Sequence, residues 1–229
     1  MASLRITEGE ADFNVPAAGK TCKTWYKIFG DLSSGTRPLV GLHGGPGPGH
    51  NYLLSLEELA SKHGIPVILY DQLGTGNSTH LQDKRGDASF WTVDLFLEDL
   101  NNLLEHLGIQ EDYNVFGNSW GGTLSAEHGV RQPVGLHRLV IADSPADMGV
   151  WVVAASKLRR QLPQDVQDVL KRHEDDETTD SPEYEGAVME FYERHLCRVR
   201  PMPEEVVTMF DNIKRDPTVY HTMFDFLFR

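Results

Sequence analysis

Tyr113-Asn114-Val115-Phe116-Gly117-Asn118-Ser119-Trp120-Gly121-Gly122 is the stretch on which the reading of the whole chain turns. Tyr113 to Phe116 predicts a short strand, and Trp120 to Arg131 predicts a helix that stops before Pro133. Between them Gly117-Asn118-Ser119-Trp120-Gly121 fits G-x-S-x-G. A strand that passes into a helix within so few residues must turn sharply, which strains the serine backbone and lifts its hydroxyl clear of the sheet. Glycines two residues to either side remove the side chains that would collide there. Ser119 then also sits at a helix N-terminus, where the dipole favours developing negative charge. Taken alone the pentapeptide is as consistent with a simple Gly-Ser turn. Its strand-to-helix setting makes Ser119 the expected nucleophile.

Working outward, the pattern from Arg37 to Ser144 is strand, loop, helix, repeated, as in a parallel sheet with crossover helices. Pro38 to Leu42, Ile65 to Tyr70 and Leu136 to Ala142 read as further strands. Tyr52 to Lys62 reads as a helix ended by Gly64, and Trp91 to Leu107 as a helix with Phe96, Leu100, Leu103, Leu104 and Leu107 on one face and Gly108 at its end. Upstream, Glu10 to Val15 and Cys22 to Phe29 flank the turn-prone Pro16-Ala17-Ala18-Gly19, which suits an antiparallel hairpin. After Pro145 the texture changes to helices punctuated by prolines, about Ala146 to Gln161, Gln164 to His173, Glu183 to Cys197 and Glu204 to Arg215. The expected organisation is a core over residues 1–145 and an all-helical layer over 146–229.

The chain has 34 acidic against 21 basic residues, a net charge of −13. That balance argues against a nucleic-acid partner, since phosphate binding needs clustered Lys and Arg. No apolar run reaches the roughly 18 residues of a membrane span, and Met1 to Val15 lacks the apolar block of a secretory signal. A cytoplasmic protein with no membrane partner is expected. Cys22 and Cys197 match no metal or redox spacing and read as reduced thiols, and no metal or organic cofactor is expected.

Two other segments follow strand ends, where ligand sites of open α/β sheets gather. His43-Gly44-Gly45-Pro46-Gly47 has the glycines that let a backbone curl its N–H groups around an anion. Gly44 or Gly45 is expected to supply one oxyanion donor and Trp120 N–H the other. A phosphate cradle is the weaker reading, because no lysine follows at phosphate-loop spacing. His43 is expected to brace the loop by a hydrogen bond. In Tyr70-Asp71-Gln72-Leu73-Gly74-Thr75-Gly76-Asn77-Ser78, Asp71 and the glycines are expected to shape a tight loop near the site.

Together these three motifs resemble the proline iminopeptidase branch of the α/β-hydrolases, and within it the L-amino-acid amidases or L-proline amide hydrolases. Phe90 to Phe96, Ala142 to Ala146, Phe191 to Arg198 and Pro217 to Met223 are similar to the same subgroup, so the resemblance runs from about Arg37 to Met223. Leu73 stands where many iminopeptidases have arginine, and this resembles the amidase side. The resemblance implies an α/β-hydrolase fold with a helical cap inserted after strand 6. It also implies a Ser-His-Asp hydrolase that removes an N-terminal residue, often proline, from a small peptide or amide with a free amine. Ser119 would attack the carbonyl.

In such enzymes the acid and the histidine follow the nucleophile on two later strands. This sequence departs from the pattern at Phe224-Asp225-Phe226-Leu227-Phe228-Arg229, so the expected sheet lacks its last two strands and the triad its acid and base. The family's amine-holding carboxylate is expected past Met223 as well. A fragment, a truncated gene product or an altered splice form is the expectation, with impaired activity and an exposed sheet edge open to self-association. None of the ten histidines is marked as a substitute base. His50 is the one whose loop faces the expected pocket. Asp143 ends a strand where an acid would serve, with no histidine to orient. The rival readings are a non-catalytic binding protein and an esterase on the same nucleophile.

Overall fold

A hairpin opens the sheet. In the computed structural model, which describes residues 4–228 and side chains through residue 223, strands β1 (Ile6–Val15) and β2 (Lys20–Phe29) pair antiparallel from Ile6↔Phe29 to Val15↔Lys20. The link Pro16–Ala18 is one tight helical turn closed by Gly19 at φ 67°, a left-handed angle that costs glycine nothing. Strand β2 then joins β4 (Val67–Tyr70) antiparallel. From there the sheet is parallel: β3 (Leu39–Leu42) lies between β4 and β5 (Tyr113–Asn118), and β5 is followed by β6 (Leu136–Ala142). The order β1-β2-β4-β3-β5-β6 makes the mostly parallel sheet that the alternation predicts.

Strands β3, β4 and β5 are each followed by a helix that packs on the sheet. α1 (Glu57–His63) ends on Gly64 at φ 66°. It is shorter than expected, because Asn51–Leu56 winds as a tighter 3-10 turn before it. α2 (Val93–His106) starts at Thr92, whose hydroxyl accepts the Leu95 N–H at 3.2 Å, a side-chain N-cap. α3 (Trp120–Val130) follows β5 directly. Strands β3 and β4 are buried at every position. Val40, Leu42, Ile68 and Tyr70 join the larger core with Phe96, Leu100 and Leu103 of α2, while Leu39, Val67 and Leu69 pack on the other face with Leu53 and Ala60. The alternation across the pleat thus feeds two cores at once.

The chain divides into two compact units, one of residues through Pro145 together with those from Glu205 onward, the other Ala146–Glu204. The expected helical layer over 146–229 is therefore corrected at its C-terminal end. α7 (Glu204–Arg215) and α8 (Thr218–Phe228) group with the sheet. Asn212 donates to Pro48 O at 2.8 Å, Thr222 Oγ1 accepts the Gly86 N–H at 2.8 Å, and Val219, 1% exposed, enters the larger core. Helical periodicity announces a helix but not the surface it grips.

The second unit holds α4 (Met148–Arg159), α5 (Gln164–Asp175) and α6 (Pro182–His195). Its small core is Leu162, Leu170 and Ala187, with Phe191 and Tyr184 packed around it. Arg159 grips Glu174 with two hydrogen bonds of 2.8 and 2.7 Å. No helix among the described residues is long and apolar enough to cross a membrane.

Candidate active site

Ser119 occupies the turn between β5 and α3 at φ 53°, ψ −121°. A non-glycine residue holds such angles only when its surroundings over-determine them. Here the Ser119 N–H donates to Ala142 O at 2.9 Å, and its carbonyl accepts from Gly122 and Thr123 at 3.0 and 3.2 Å. The glycines leave the space the turn needs. A Cβ on Gly117 would run into Gly121 O, one on Gly121 into Leu42 O, and one on Gly122 into the Ser144 side chain.

The His43–Gly47 loop comes up beside this turn. A Cβ on Gly44 would lie 3.0 Å from Ser119 Cβ and 3.0 Å from Tyr52 Oη. His43 is fully buried, with Nδ1 2.8 Å from Gly44 O and Nε2 accepting the Gln72 N–H at 3.1 Å. Burial pushes its pKa down to about 4, so it is a neutral imidazole that donates through Nδ1, the brace that was expected. Gln72, also fully buried, donates to His43 O at 2.9 Å and accepts the Trp120 indole N–H at 2.9 Å. One side chain thus ties the loop after β3 to the residue that follows Ser119.

Of the expected oxyanion donors, Gly44 is engaged elsewhere: its N–H donates to Tyr52 Oη at 2.5 Å. Tyr52 in turn donates to Asn118 Oδ1 at 2.9 Å, and Asn118 Nδ2 reaches Ala142 O at 3.3 Å. Burial raises the Tyr52 hydroxyl to about 12, which keeps it protonated. The N–H groups of Gly45 and Trp120 have no partner among the described residues.

Asp71 shapes the third loop as expected. It accepts from the His50 and Asn77 N–H groups at 2.8 and 2.8 Å and from Asn77 Nδ2 at 3.1 Å, and its carbonyl takes the Ser78 hydroxyl. Its remaining partner is His50 Nδ1 at 2.8 Å. Burial alone would raise its pKa, but the bond and charge of His50, with His43 and the Asn77 N–H, hold it below its ordinary value. His50 is buried as well, its ring 4.5 Å from that of Trp25.

No histidine among the described residues bonds the Ser119 hydroxyl. His128 is buried against the Tyr113 hydroxyl at 2.7 Å, and His137 pairs with Asp112 at 3.2 Å at the start of β6, the end of the sheet away from Ser119. His80 pairs with Asp216. In the helical unit His173 lies among Thr178, Ser181 and Glu183, and the His195 ring lies tilted against Phe191, 4.9 Å between centroids. Asp143, exposed after β6 at φ 50°, orients none of them. No group of three metal-ligating side chains occurs among the described residues. The sequence reading missed Tyr52, the pivot of the network. It carried no signal there beyond an aromatic residue in an amphipathic stretch.

A six-stranded, mostly parallel sheet with a strained serine at the end of β5 defines a class. Residues 37–227 match the family described as the alpha/beta hydrolase fold, and the chain belongs to that family, in the branch that holds the proline iminopeptidases. It is 35% identical over 187 residues to the proline iminopeptidase of Lactobacillus delbrueckii subsp. lactis, a match that spans 81% of this chain and 62% of that one. Among solved structures it is similar to VinJ, with a TM-score of 0.88 and 48% identity over 94% of this chain and 70% of that one. It is also similar to the proline iminopeptidase of Mycobacterium smegmatis, with a TM-score of 0.82 and 43% identity over 95% of this chain and 70% of that one. The chain spans about six-tenths of the length of the curated relatives it matches.

Proposed function

We propose that the chain carries the nucleophile and anion site of a serine hydrolase that releases an N-terminal amino acid, often proline, from small peptides or amides. The observation that carries this is Ser119 held at φ 53° at a helix N-terminus, beside two N–H groups with no partner among the described residues, in a chain similar to proline iminopeptidases. Ser119 Oγ bonds to the substrate carbonyl carbon and gives its proton to a solvent water. The carbonyl oxygen takes the negative charge, and the Gly45 and Trp120 N–H groups stabilise it. Collapse of this intermediate expels the amine, which takes up the proton and leaves an ester on Ser119 for water to cleave. Preset donors of this kind each contribute on the order of 3 kcal/mol to lowering the barrier. With no histidine bonded to the serine among the described residues, only the modest acceleration of the anion site and of binding remains for these residues, whose turnover is expected to be weak. The substrate class is a small amide or peptide with a free amine, and an ester fits the same nucleophile.

Mass spectrometry after exposure to an arylphosphonate tests the reading. Ser119 is expected to be labelled and Ser119→Ala to block labelling, while proline arylamide is turned over far more slowly than by the proline iminopeptidases the chain resembles. Brisk turnover abolished by Ser119→Ala would show that a base is present and refute the impairment. A folded, monodisperse chain that resists the reagent would refute the nucleophile.

A second reading is favoured by one observation. Strand β6 is paired on one edge only, Val140 and Ile141 are each 50% exposed, and beside them lies an open cavity of about 430 Å³ lined by Ala126, Val130, Leu136 and Leu139. An unpaired apolar strand is a template for pairing, so two copies of the chain would associate through this edge.

A further inference from the structure

We propose that Tyr52 is a positioning residue of the anion site, which takes the Gly44 N–H out of use and so fixes Gly45 as the donor that works with Trp120. The proposal rests on Ser119 as the nucleophile and goes on to say how its partner loop is aimed.

The argument starts from the Tyr52 hydroxyl, which has one proton to give. It donates that proton to Asn118 Oδ1 at 2.9 Å, so towards the Gly44 N–H, 2.5 Å away, it is an acceptor. The Asn118 amide is oriented in turn by its Nδ2, which donates to Ala142 O at 3.3 Å. The same carbonyl takes the Ser119 N–H at 2.9 Å. A line of hydrogen bonds therefore runs from β6 through the residue preceding the nucleophile to the oxyanion loop. Its β6 end, Ala142 O, is also the anchor of the Ser119 N–H, which sets the loop and the serine in a common frame.

Gly44 is pinned on both sides. Tyr52 holds its N–H, and His43 Nδ1 donates to its carbonyl at 2.8 Å. In a trans peptide the carbonyl and the following N–H point in opposite directions. With the Gly44 carbonyl drawn towards the buried His43, the Gly45 N–H must face the other way, and it has no partner among the described residues. A Cβ on Gly44 would come within 3.0 Å of both Ser119 Cβ and Tyr52 Oη, so the pinned peptide lies against the nucleophile itself. A side chain at 44 would crowd both groups, so glycine suits that approach. A loop fixed at one end only would let the Gly45 N–H swing, and misplacement on the scale of an ångström is what anion sites tolerate least.

The test is Tyr52→Phe, which keeps the ring and removes the bond, read by two measurements on the whole chain. By amide hydrogen exchange, Gly44 is expected to exchange roughly fivefold faster or more, as loss of one hydrogen bond implies, while Val40 and Ile68 in the neighbouring strands keep their rates. By phosphonate labelling of Ser119, the rate at saturating reagent is expected to fall roughly tenfold, a fraction of what loss of a whole donor costs, with half-saturation unchanged. Asn118→Ala, which removes the other end of the bridge, is expected to act in the same direction on both. Unaltered Gly44 exchange in Tyr52→Phe overturns the pin. Faster exchange with an unaltered labelling rate overturns the positioning role, and faster exchange throughout the sheet reduces Tyr52 to a packing residue. A wild-type chain that resists the phosphonate refutes Ser119 as nucleophile, and Gly44 exchange alone then decides for or against the pin.

Discussion

Strand β4, Val67-Ile68-Leu69-Tyr70, and the end of strand β6, Leu139-Val140-Ile141-Ala142, belong to one sheet, have nearly the same side chains, and stand in opposite surroundings. Val67, Ile68, Leu69 and Tyr70 are all fully buried, with strands on both sides and a core on each face. Val140 and Ile141 are half exposed, and beyond β6 no strand pairs among the described residues. Consecutive apolar residues on both faces are what a strand buried on both faces requires. The two segments therefore carry the same instruction, and only β4 meets the cover that fulfils it. A sequence pattern specifies the surroundings an element is built for. Whether they are met depends on the rest of the assembly.

The largest effect that would test this contrast is acid sensitivity, which belongs to the covered side alone. Burial holds His43 and His128 at about 4, whereas an unfolded histidine titrates near 6.5. Between those values the unfolded chain binds protons that the folded one refuses, so stability falls as the pH drops from about 6.5 to about 4, by several kcal/mol for the pair. Asp99 acts in the opposite sense. Burial raises it from 3.8 to about 6 despite bonds from the Thr24 hydroxyl and, at 2.9 Å, the Leu73 N–H. Over that span the folded chain holds the extra proton and gains stability as the pH falls. Two histidines outweigh one carboxylate, so the urea midpoint is expected to decline towards pH 4, and more steeply in Asp99→Asn. A flat profile would place the titrating groups outside the packed centre.

Next in size is truncation of matched side chains. Ile68→Ala removes a fully buried side chain between two strands and is expected to cost about 3 kcal/mol, transfer and cavity together. Ile141→Ala, at half exposure, is expected to cost less than about 1 kcal/mol. Chemical denaturation of the two variants side by side gives the difference directly, and equal losses would mean that β6 is covered in solution.

Much of this was legible in the residues themselves. The hairpin was announced by Pro16 to Gly19, the helix ends by Gly64 and Gly108, and the strained serine by glycines at 117 and 121, because each of these is a local steric demand written where it acts. The grouping of α7 and α8 with the sheet was not, since Asn212, Thr222 and Val219 find partners more than a hundred residues upstream. The engagement of Gly44 was hidden for the same reason. Glycine spacing says that a backbone N–H is free to turn inward, but which oxygen meets it depends on where Tyr52 and Asn118 are brought by separate elements. Local geometry is encoded by adjacent residues, and hydrogen-bond partnership across the fold is not.

The smallest expected change in stability carries the sharpest test of β6. Ile141→Lys places a charge on an exposed strand position, and the effect on the unfolding free energy of the monomer is expected to stay within about 0.5 kcal/mol. The same substitution puts like charges near each other wherever two copies meet along this edge, and charged residues are a common means of blunting an open strand. Sedimentation velocity of the unmodified chain is accordingly expected to show a concentration-dependent dimer, and Ile141→Lys to shift the population to monomer. Lys placed at Val207, an apolar residue of α7 that is also exposed, at 42%, serves as the matched control and is expected to leave the dimer intact. If both variants and the parent chain are monomeric at all concentrations, the β6 edge is tolerated bare, and the difference between β4 and β6 is one of cover alone.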